Sequence, residues 1–422
     1  MLKRLLIVSL AYVVGFPLLA FADGLTVTSE NIKGLLEAKN AKVSAARLET
    51  GAAVEREGSL KRSFLPSVEV YGGQENFKSG TLSRKTQPVY GAEAKVNLYN
   101  GGRDRIENEV RTLETQKRGF QTQRIASEEI EKARSIYWQI IFLQEKVSLL
   151  KTTLEVNKQN LGAAQKRIRS GVATDSDRFE FEMKEVDLKR ELAQGNVELA
   201  AQVRLLRILL GLNEGTKLSF TEPLIHDHQY EGLLTHSGKQ HEFLYKESEI
   251  QGAQFSLAAK GNNRAWWPKL DAFAAYNNYN ERIESAGPGT PPDLRDETVF
   301  GLRLTMSLPA GFESNREASA LSKEGMAATV LSEFQRQEVE AHLENEAAEL
   351  KFLHDQVHEA EENIKRAESY YKITQSEYNR GVKNSPDVLG ASDKLFDMRH
   401  KRLEIIKNFQ VSKAHVLSKI GQ

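Results

Sequence analysis

The chain has 422 residues, with 58 basic against 58 acidic side chains, 27% charged residues and no cysteine. That balance argues against nucleic acid as a partner, which needs a basic face to release counterions. The missing cysteines exclude a disulfide framework.

The first 22 residues read as a cleaved signal peptide. Lys3 and Arg4 give the positive start, an apolar run follows to Leu19, and Ala20-Phe21-Ala22 fits the small-x-small cleavage pattern. Cleavage before Asp23 leaves 56 basic against 58 acidic residues. Past the leader, every aliphatic run is broken by charges, so no segment of about 20 apolar residues could cross a bilayer as a helix. A membrane crossing would have to be a barrel.

Residues 30–62 carry a helical pattern that ends before Pro66, where the chain turns extended. Val68 and Val70 then alternate with Ser67 and Glu69, and a second strand follows with Ala92, Ala94, Val96 and Leu98 on one face against Glu93, Lys95 and Asn97. A polar, turn-rich loop over 77–88 separates them. After Asn100-Gly101-Gly102 comes a run over 103–170 with no proline and only two glycines, Gly119 and Gly162. As one helix it would reach about 100 Å. Ile130, Ile136, Ile140, Val147, Leu150 and Leu154 recur at coiled-coil spacing. The chain turns at Gly171-Val172 and a second helix returns to Gly211.

Residues 212–240 are irregular, with Pro223 and several histidines. The pattern then repeats. A helix over 241–264 stops before Pro268, Leu270, Ala272 and Ala274 alternate with Asp271, Phe273 and Ala275, and a loop over 280–297 holds Gly-Pro-Gly-Thr-Pro-Pro. Phe300, Leu302, Leu304, Met306 and Leu308 alternate strictly with Gly301, Arg303, Thr305 and Ser307. Past Pro309-Ala310-Gly311 another long helix runs to a turn at Gly381-Val382, and its return ends at Gly421. A repeat at an offset of 210 means one structural unit used twice. The expected division is 1–22 leader, 23–211 first repeat, 212–240 joining equatorial segment and 241–422 second repeat.

Strands of about ten residues suit a tilted bilayer crossing, but four strands cannot close a barrel, and lipid tolerates no open sheet edge. A membrane reading therefore forces oligomerisation. Tyr71, Tyr90, Tyr99, Trp266, Trp267 and Tyr276 near the strand ends fit interfacial girdles.

The ordered series of proline-led strand, Gly-Gly after the second strand, and Gly-Val-x-x-x-x-Asp at each helical turn resembles the outer membrane efflux protein family, typified by TolC, over essentially the whole mature chain. The resemblance implies a mainly α fold with a membrane β-barrel: a homotrimer whose long coiled-coil hairpins form an α-barrel tunnel and whose four strands per chain build a 12-stranded barrel. It implies a passive duct in the outer membrane of a Gram-negative bacterium, projecting into the periplasm and embedded in outer-membrane lipid. Its partners would be a periplasmic adaptor and an inner-membrane pump of an efflux or type I secretion system.

Carried over by distance from the turn glycines, the resemblance assigns Asp177, Tyr378 and Lys383 to a periplasmic gate, the tyrosine and lysine tethering the second hairpin to an acid on the first. Lysine stands where the best-known pattern has arginine, and it lacks the bidentate fork. Asp387 is assigned to an acidic ring at the tunnel mouth, thinned because the family's second aspartate is Gly390 here. Gly171, Val172, Gly381 and Val382 are the expected adaptor-docking tips. Ordinary helix chemistry also accounts for these positions: Thr174 as cap with Asp177 in the first helical turn, and Ser385 as cap with Pro386 and Asp387 following.

Enzyme motifs are scarce. The glycines and lysine over 232–240 miss the P-loop spacing. His354 and His358 stand at i,i+4, but helix-surface histidines are far commoner than zinc sites. His226, His228, His236 and His241 are expected to be solvated. The reading is a non-enzyme with no metal and no cofactor. Its alternative is a periplasmic coiled-coil scaffold or chaperone without a pore, which leaves the alternating strands unexplained.

Overall fold

The computed structural model describes residues 25–77, 85–227, 239–279, 296–307 and 312–421. The leader, the glycine- and proline-rich loop, His228, His236, Leu308 and the 309–311 turn lie outside the described residues.

The repeat is geometric as well as textual. In the first half, α4 (Arg103–Arg169) and α5 (Asp175–Leu209) have 67 and 35 residues. In the second, α7 (Glu313–Asn379) and α8 (Ser385–Lys419) also have 67 and 35. All four helices end on a left-handed glycine: Gly171, Gly211, Gly381 and Gly421 have φ between 62° and 84°. At the two hairpin turns the closing bonds are those of a Schellman motif. Val172 N donates to Arg167 O and Gly171 N to Ile168 O, while Val382 N donates to Glu377 O and Gly381 N to Tyr378 O. The shared Gly-Val signature is therefore the chemistry of stopping a helix cleanly.

The shorter helices depart from the expected single runs. Residues 30–62 break into α1 (Asn31–Lys39), α2 (Ala41–Arg56) and α3 (Ser59–Ser63). Asn40 causes the first break: its backbone is extended, and its side chain caps α2 by accepting from Lys42 N and Val43 N. Gly58, at φ 71°, causes the second. In the second half a 3₁₀ turn (Lys239–Leu244) precedes α6 (Lys246–Asn263).

Four strands, β2 (Ser67–Phe77), β3 (Lys85–Asn100), β5 (Lys269–Tyr279) and β6 (Asp296–Thr305), pair antiparallel in the order β2-β3-β5-β6. Two short strands, β1 (Leu25–Val27) and β4 (Leu218–Phe220), pair parallel beside the helices. Among the described residues neither β2 nor β6 has a strand on its outer side, so the sheet is open and closes no barrel within one chain.

Register gives the sheet two unlike faces. Val68, Ala94, Ala274 and Phe300 align across the four strands, as do Val96, Ala272 and Leu302 across three and Leu270 with Leu304. On the other face lie Ser67, Glu69, Glu93, Lys95, Asn97, Asp271 and Arg303, with Lys95 3.5 Å from Asp271 and Arg303 3.7 Å from Glu93. Two expectations need correcting here. Leu98 does not continue the apolar alternation: a bulge between Asn97 and Tyr99 sets Tyr99, not Leu98, opposite Leu270. Tyr71 belongs to the polar face, where it crosses over Gly91 and hydrogen-bonds Asn277.

The helices form a row rather than a closed bundle. Toward the hairpin tips the order is α5-α4-α8-α7, and toward the sheet it is α2-α4-α6-α7. Between these levels the main core gathers Ile32, Leu36, Tyr137, Ile140, Ile141, Leu206, Leu350, Ile406 and Phe409 around the β1–β4 pair. Of the expected helical stripe, Ile130, Ile140, Val147, Leu150 and Leu154 are buried and Ile136 is partly so. Glu129 anchors the junction. Its buried carboxylate accepts from Lys42, Lys132 and Asn40, and Asn40 also donates to Leu209 O. Among the described residues no helix is long and apolar enough to cross a membrane.

Candidate functional site

The two hairpin tips pack side by side on a small core of Ala164, Phe181, Tyr371, Tyr378, Val388 and Ala391. Their chemistry follows from how each return helix begins. In the second hairpin the cap is Asn384, one residue before the Ser385 expected from sequence. Asn384 and Asp387 form a reciprocal capping box, with Asn384 N donating to Asp387 Oδ2 at 3.1 Å and Pro386 inside the first turn. In the first hairpin Thr174 holds the cap position, but its side chain makes no capping bond.

Asp177 is thereby left to act elsewhere, and it crosses to the other hairpin. Its Oδ1 accepts from Ser385 Oγ at 2.5 Å and from Ser385 N at 3.3 Å. One carboxylate of the first hairpin thus satisfies an orphan amide at the start of α8, where the helix dipole favours negative charge. Within one chain Asp177 meets Ser385 rather than Tyr378 or Lys383.

Tyr378 is 1% exposed and packs edge-on to Phe181, with the Arg167 guanidinium 4.0 Å above its ring. Its hydroxyl makes no hydrogen bond among the described residues. Burial pushes the phenol above its ordinary range; the neighbouring Arg167 charge partly offsets this and the Asp177 carboxylate adds to it. Tyr378 and Arg167 thus form a second connection between hairpins, apolar and cation–π in character. A third is the ion pair of Lys184 with Asp393, at 2.7 Å. Higher up, Asn160 donates to the Tyr371 hydroxyl, and Gln375 donates to both Asn160 Oδ1 and Tyr371.

Lys383 lies 3.9 Å from Asp387, both about two-fifths exposed. Asp387 therefore has three tasks: it caps α8, it neighbours a cation, and it faces solvent. Val172 and Val382 stand out from the tips, 59% and 68% exposed, with the Gly381 Cβ position only 3.6 Å from Val172.

Sequence reasoning missed Arg167, Phe181 and Ser385. The repeat held a usable signal for the last: shifted by 210, Ser385 corresponds to Asp175, so a hydroxyl donor stands where the first hairpin has an acid. It also misjudged two histidines. His241 is buried, and His226 is half-buried against His354 and His358.

Residues 247–421 match the family model described as "Outer membrane efflux protein". No curated protein matches the sequence. Among solved structures, the chain is similar to the outer membrane protein VceC of Vibrio cholerae, with a TM-score of 0.78, 12% identity and coverage of 93% of this chain and 96% of that one. It is as similar to the Campylobacter jejuni CmeC outer membrane channel, with a TM-score of 0.78, 12% identity, and 93% and 85% coverage. The open state of the Neisseria gonorrhoeae MtrE outer membrane channel gives 0.75 and 13% identity, with 93% and 88% coverage. The resemblance drawn from the repeat is thus shown, as a family domain in the second half and as a shared fold along the whole chain.

Proposed function

We propose that this chain, with an outer membrane efflux protein domain in its second half, is one protomer of a homotrimeric outer-membrane duct. The observation that carries the reading is that sheet and helical row are open at the same two sides and are finished differently on their two faces. The sheet turns Phe300, Leu302, Leu304, Val68 and Val70 to the outside, with Phe300 82% and Val70 79% exposed. Such a surface suits lipid, while the face with Lys95, Asp271, Arg303 and Glu93 suits a water-filled lumen.

Dimensions support it. Tyr90 and Tyr276 mark one end of the apolar face, and Tyr99 with Trp266 and Trp267 mark the other. The nine-residue rise from Tyr90 to Tyr99 is about 30 Å along the strand, or roughly 23 Å of membrane thickness at a tilt near 40°. That is close to the apolar band of about 25 Å in outer-membrane barrels. The helical edges carry complementary apolar stripes: Phe179, Met183, Val186, Val197, Leu205 and Ile208 are exposed on α5, and Met326, Val330, Phe334 and Ile373 on α7. Edge-to-edge closure around a threefold axis buries both stripes and satisfies both sheet edges. The result is 12 strands over 12 helices, as the resemblance implies.

In this reading the duct is passive. The gate is the Asp177–Ser385 link with Tyr378 and Arg167 behind it, and Lys383 tempers the Asp387 ring. The tips at Gly171, Val172, Gly381 and Val382 present two apolar knobs to a periplasmic adaptor, beyond which an inner-membrane pump or type I secretion system drives transport. An outer-membrane location follows, with periplasmic projection and a cleaved leader over 1–22.

The test is extraction and conductance together. The mature protein should leave the envelope only with detergent, run as a trimer, and give small, long-lived channels in a planar bilayer. Release by osmotic shock as a monomer, without channels, would replace the duct with the coiled-coil scaffold.

A further inference from the structure

Away from the tips, the segment joining the two halves brings a third imidazole onto the i,i+4 pair of α7. We propose that His226, His354 and His358 form a binding site for a divalent transition-metal ion of the zinc or nickel class, clamping the joining segment to α7.

One nitrogen from each of the three rings lies within 4.8 Å of the other two. The ligands come from two elements that the fold already holds in place. His354 and His358 share one face of α7. His226 is positioned by its neighbours, because Gln410 Nε2 donates to Ile225 O at 2.6 Å and Lys413 pairs with Asp227 at 2.7 Å, both from α8. Tetrahedral zinc at about 2.0–2.1 Å from each nitrogen sets its ligands roughly 3.4 Å apart. The nitrogens, within 4.8 Å of one another, are near that spacing, and an ion would draw the rings the rest of the way.

The surroundings suit a cation. The Asp355 carboxylate is 3.5 Å from His354 Nδ1, a contact of the kind that orients an imidazole. Glu361 lies near His226 and His358. Its carboxylate accepts hydrogen bonds from Arg402. Phe409 walls the opposite side, edge-on to His226 and tilted against His354. His358 is exposed, which leaves a coordination position open to water. His226 lines a cleft with Glu30, Glu222 and Asp227, beside Arg134 and Lys413, and this gives an ion a way in. Three imidazoles without thiolate select zinc, nickel or copper over magnesium or calcium. Ring stacking alone would also hold three histidines together, and metal titration separates the two.

The experiment uses untagged, detergent-purified protein stripped with chelator and titrated with Zn²⁺ and with Ni²⁺ by calorimetry. The expected result is one ion per chain at a site whose affinity falls at least the roughly 10–100-fold that loss of even an outer-shell partner costs, in both His226→Gln and His358→Gln. The second variant removes an exposed side chain, so its folding is not at issue. X-ray absorption should show three imidazole nitrogens on the metal. Absence of stoichiometric binding, or affinity unchanged in either variant, overturns the site. Neither outcome touches the duct, which none of these residues is asked to form.

Discussion

Ser385→Ala removes one oxygen atom and with it the hydroxyl that Asp177 holds at 2.5 Å, leaving only the 3.3 Å bond from the Ser385 amide. A hydrogen bond to an ionised carboxylate contributes about 1.5–3 kcal/mol. Asp177 is half-buried, which favours the lower end, about 1.5 kcal/mol per protomer. In a trimer whose tips open together, three lost bonds come to about 4.5 kcal/mol, or a shift of roughly a thousandfold in the closed-to-open ratio. Single-channel recording should show long openings of larger conductance in Ser385→Ala and in Asp177→Ala. The double variant should gain little over Asp177→Ala alone, because that single change already removes both the hydroxyl and the amide bond. Wild-type gating in Ser385→Ala beside an open Asp177→Ala channel would refute this pairing and return the latch to a partner on a neighbouring protomer. Strict additivity would refute it as well.

Other expectations test the frame. Gly211→Ala should destabilise by about 2–4 kcal/mol, because a Cβ there meets Lys39 O at 2.2 Å on a backbone at φ 62°. Gly162→Ala, in open space mid-helix, should stabilise by up to about 1 kcal/mol, and thermal denaturation should rank the two in opposite directions. Burial raises the Glu129 carboxyl, but hydrogen bonds from Lys42 and Lys132 outweigh it and hold the group below its ordinary 4.5. The stability it contributes is therefore full above pH 4.5 and lost as pH falls through the folded value, and Glu129→Gln should flatten that acid limb in urea titrations. Phe300→Lys, on the apolar face, should cost about 2–4 kcal/mol and reduce trimer yield in outer-membrane fractions. Lys383→Gln should strengthen cation preference in reversal-potential measurements, since it removes the cation 3.9 Å from Asp387.

The elements with a local cause were legible. Four glycines 40 residues apart within each half and 210 between halves mark helix ends because a left-handed C′ residue is a local demand. Alternation at Phe300, Leu302 and Leu304 marks a strand because one face must be apolar. Long-range causes were not legible. Asn40 caps α2 locally, but the bonds that hold it in place there reach Glu129 and Leu209 O, 89 and 169 residues away. Leu98 sits in a bulge that shows only in its pairing with the partner strand. Tyr71 reads as a membrane aromatic until Gly91 and Asn277 open a place for it on the polar face. At the tips, Asp177 was named on resemblance, but its partner Ser385 is 208 residues away and had no local reason to be chosen.

The repeat itself explains where asymmetry was introduced. Equivalent positions that agree, such as Gly171 and Gly381, build identical helix ends. Some positions that differ do something only one half needs. Asp177 and Asp387 are the same residue in equivalent places, yet one reaches across and the other does not. The difference lies in their caps. Asn384 engages Asp387 in a capping box, whereas the Thr174 side chain leaves Asp177 uncommitted. Ser385 in place of the acid at 175 then removes a like charge and supplies the donor. A further mismatch recurs at the helix starts, where Phe312 holds φ 54° at the place of Gly102. That conformation is costly for an aromatic residue, and Phe312 is largely exposed just beyond the end of the strand region. The duplicated frame supplies the length and the helix stops, while its unequal positions supply a donor hairpin and an acceptor hairpin. A latch between hairpins needs that inequality, because two identical acidic tips would repel.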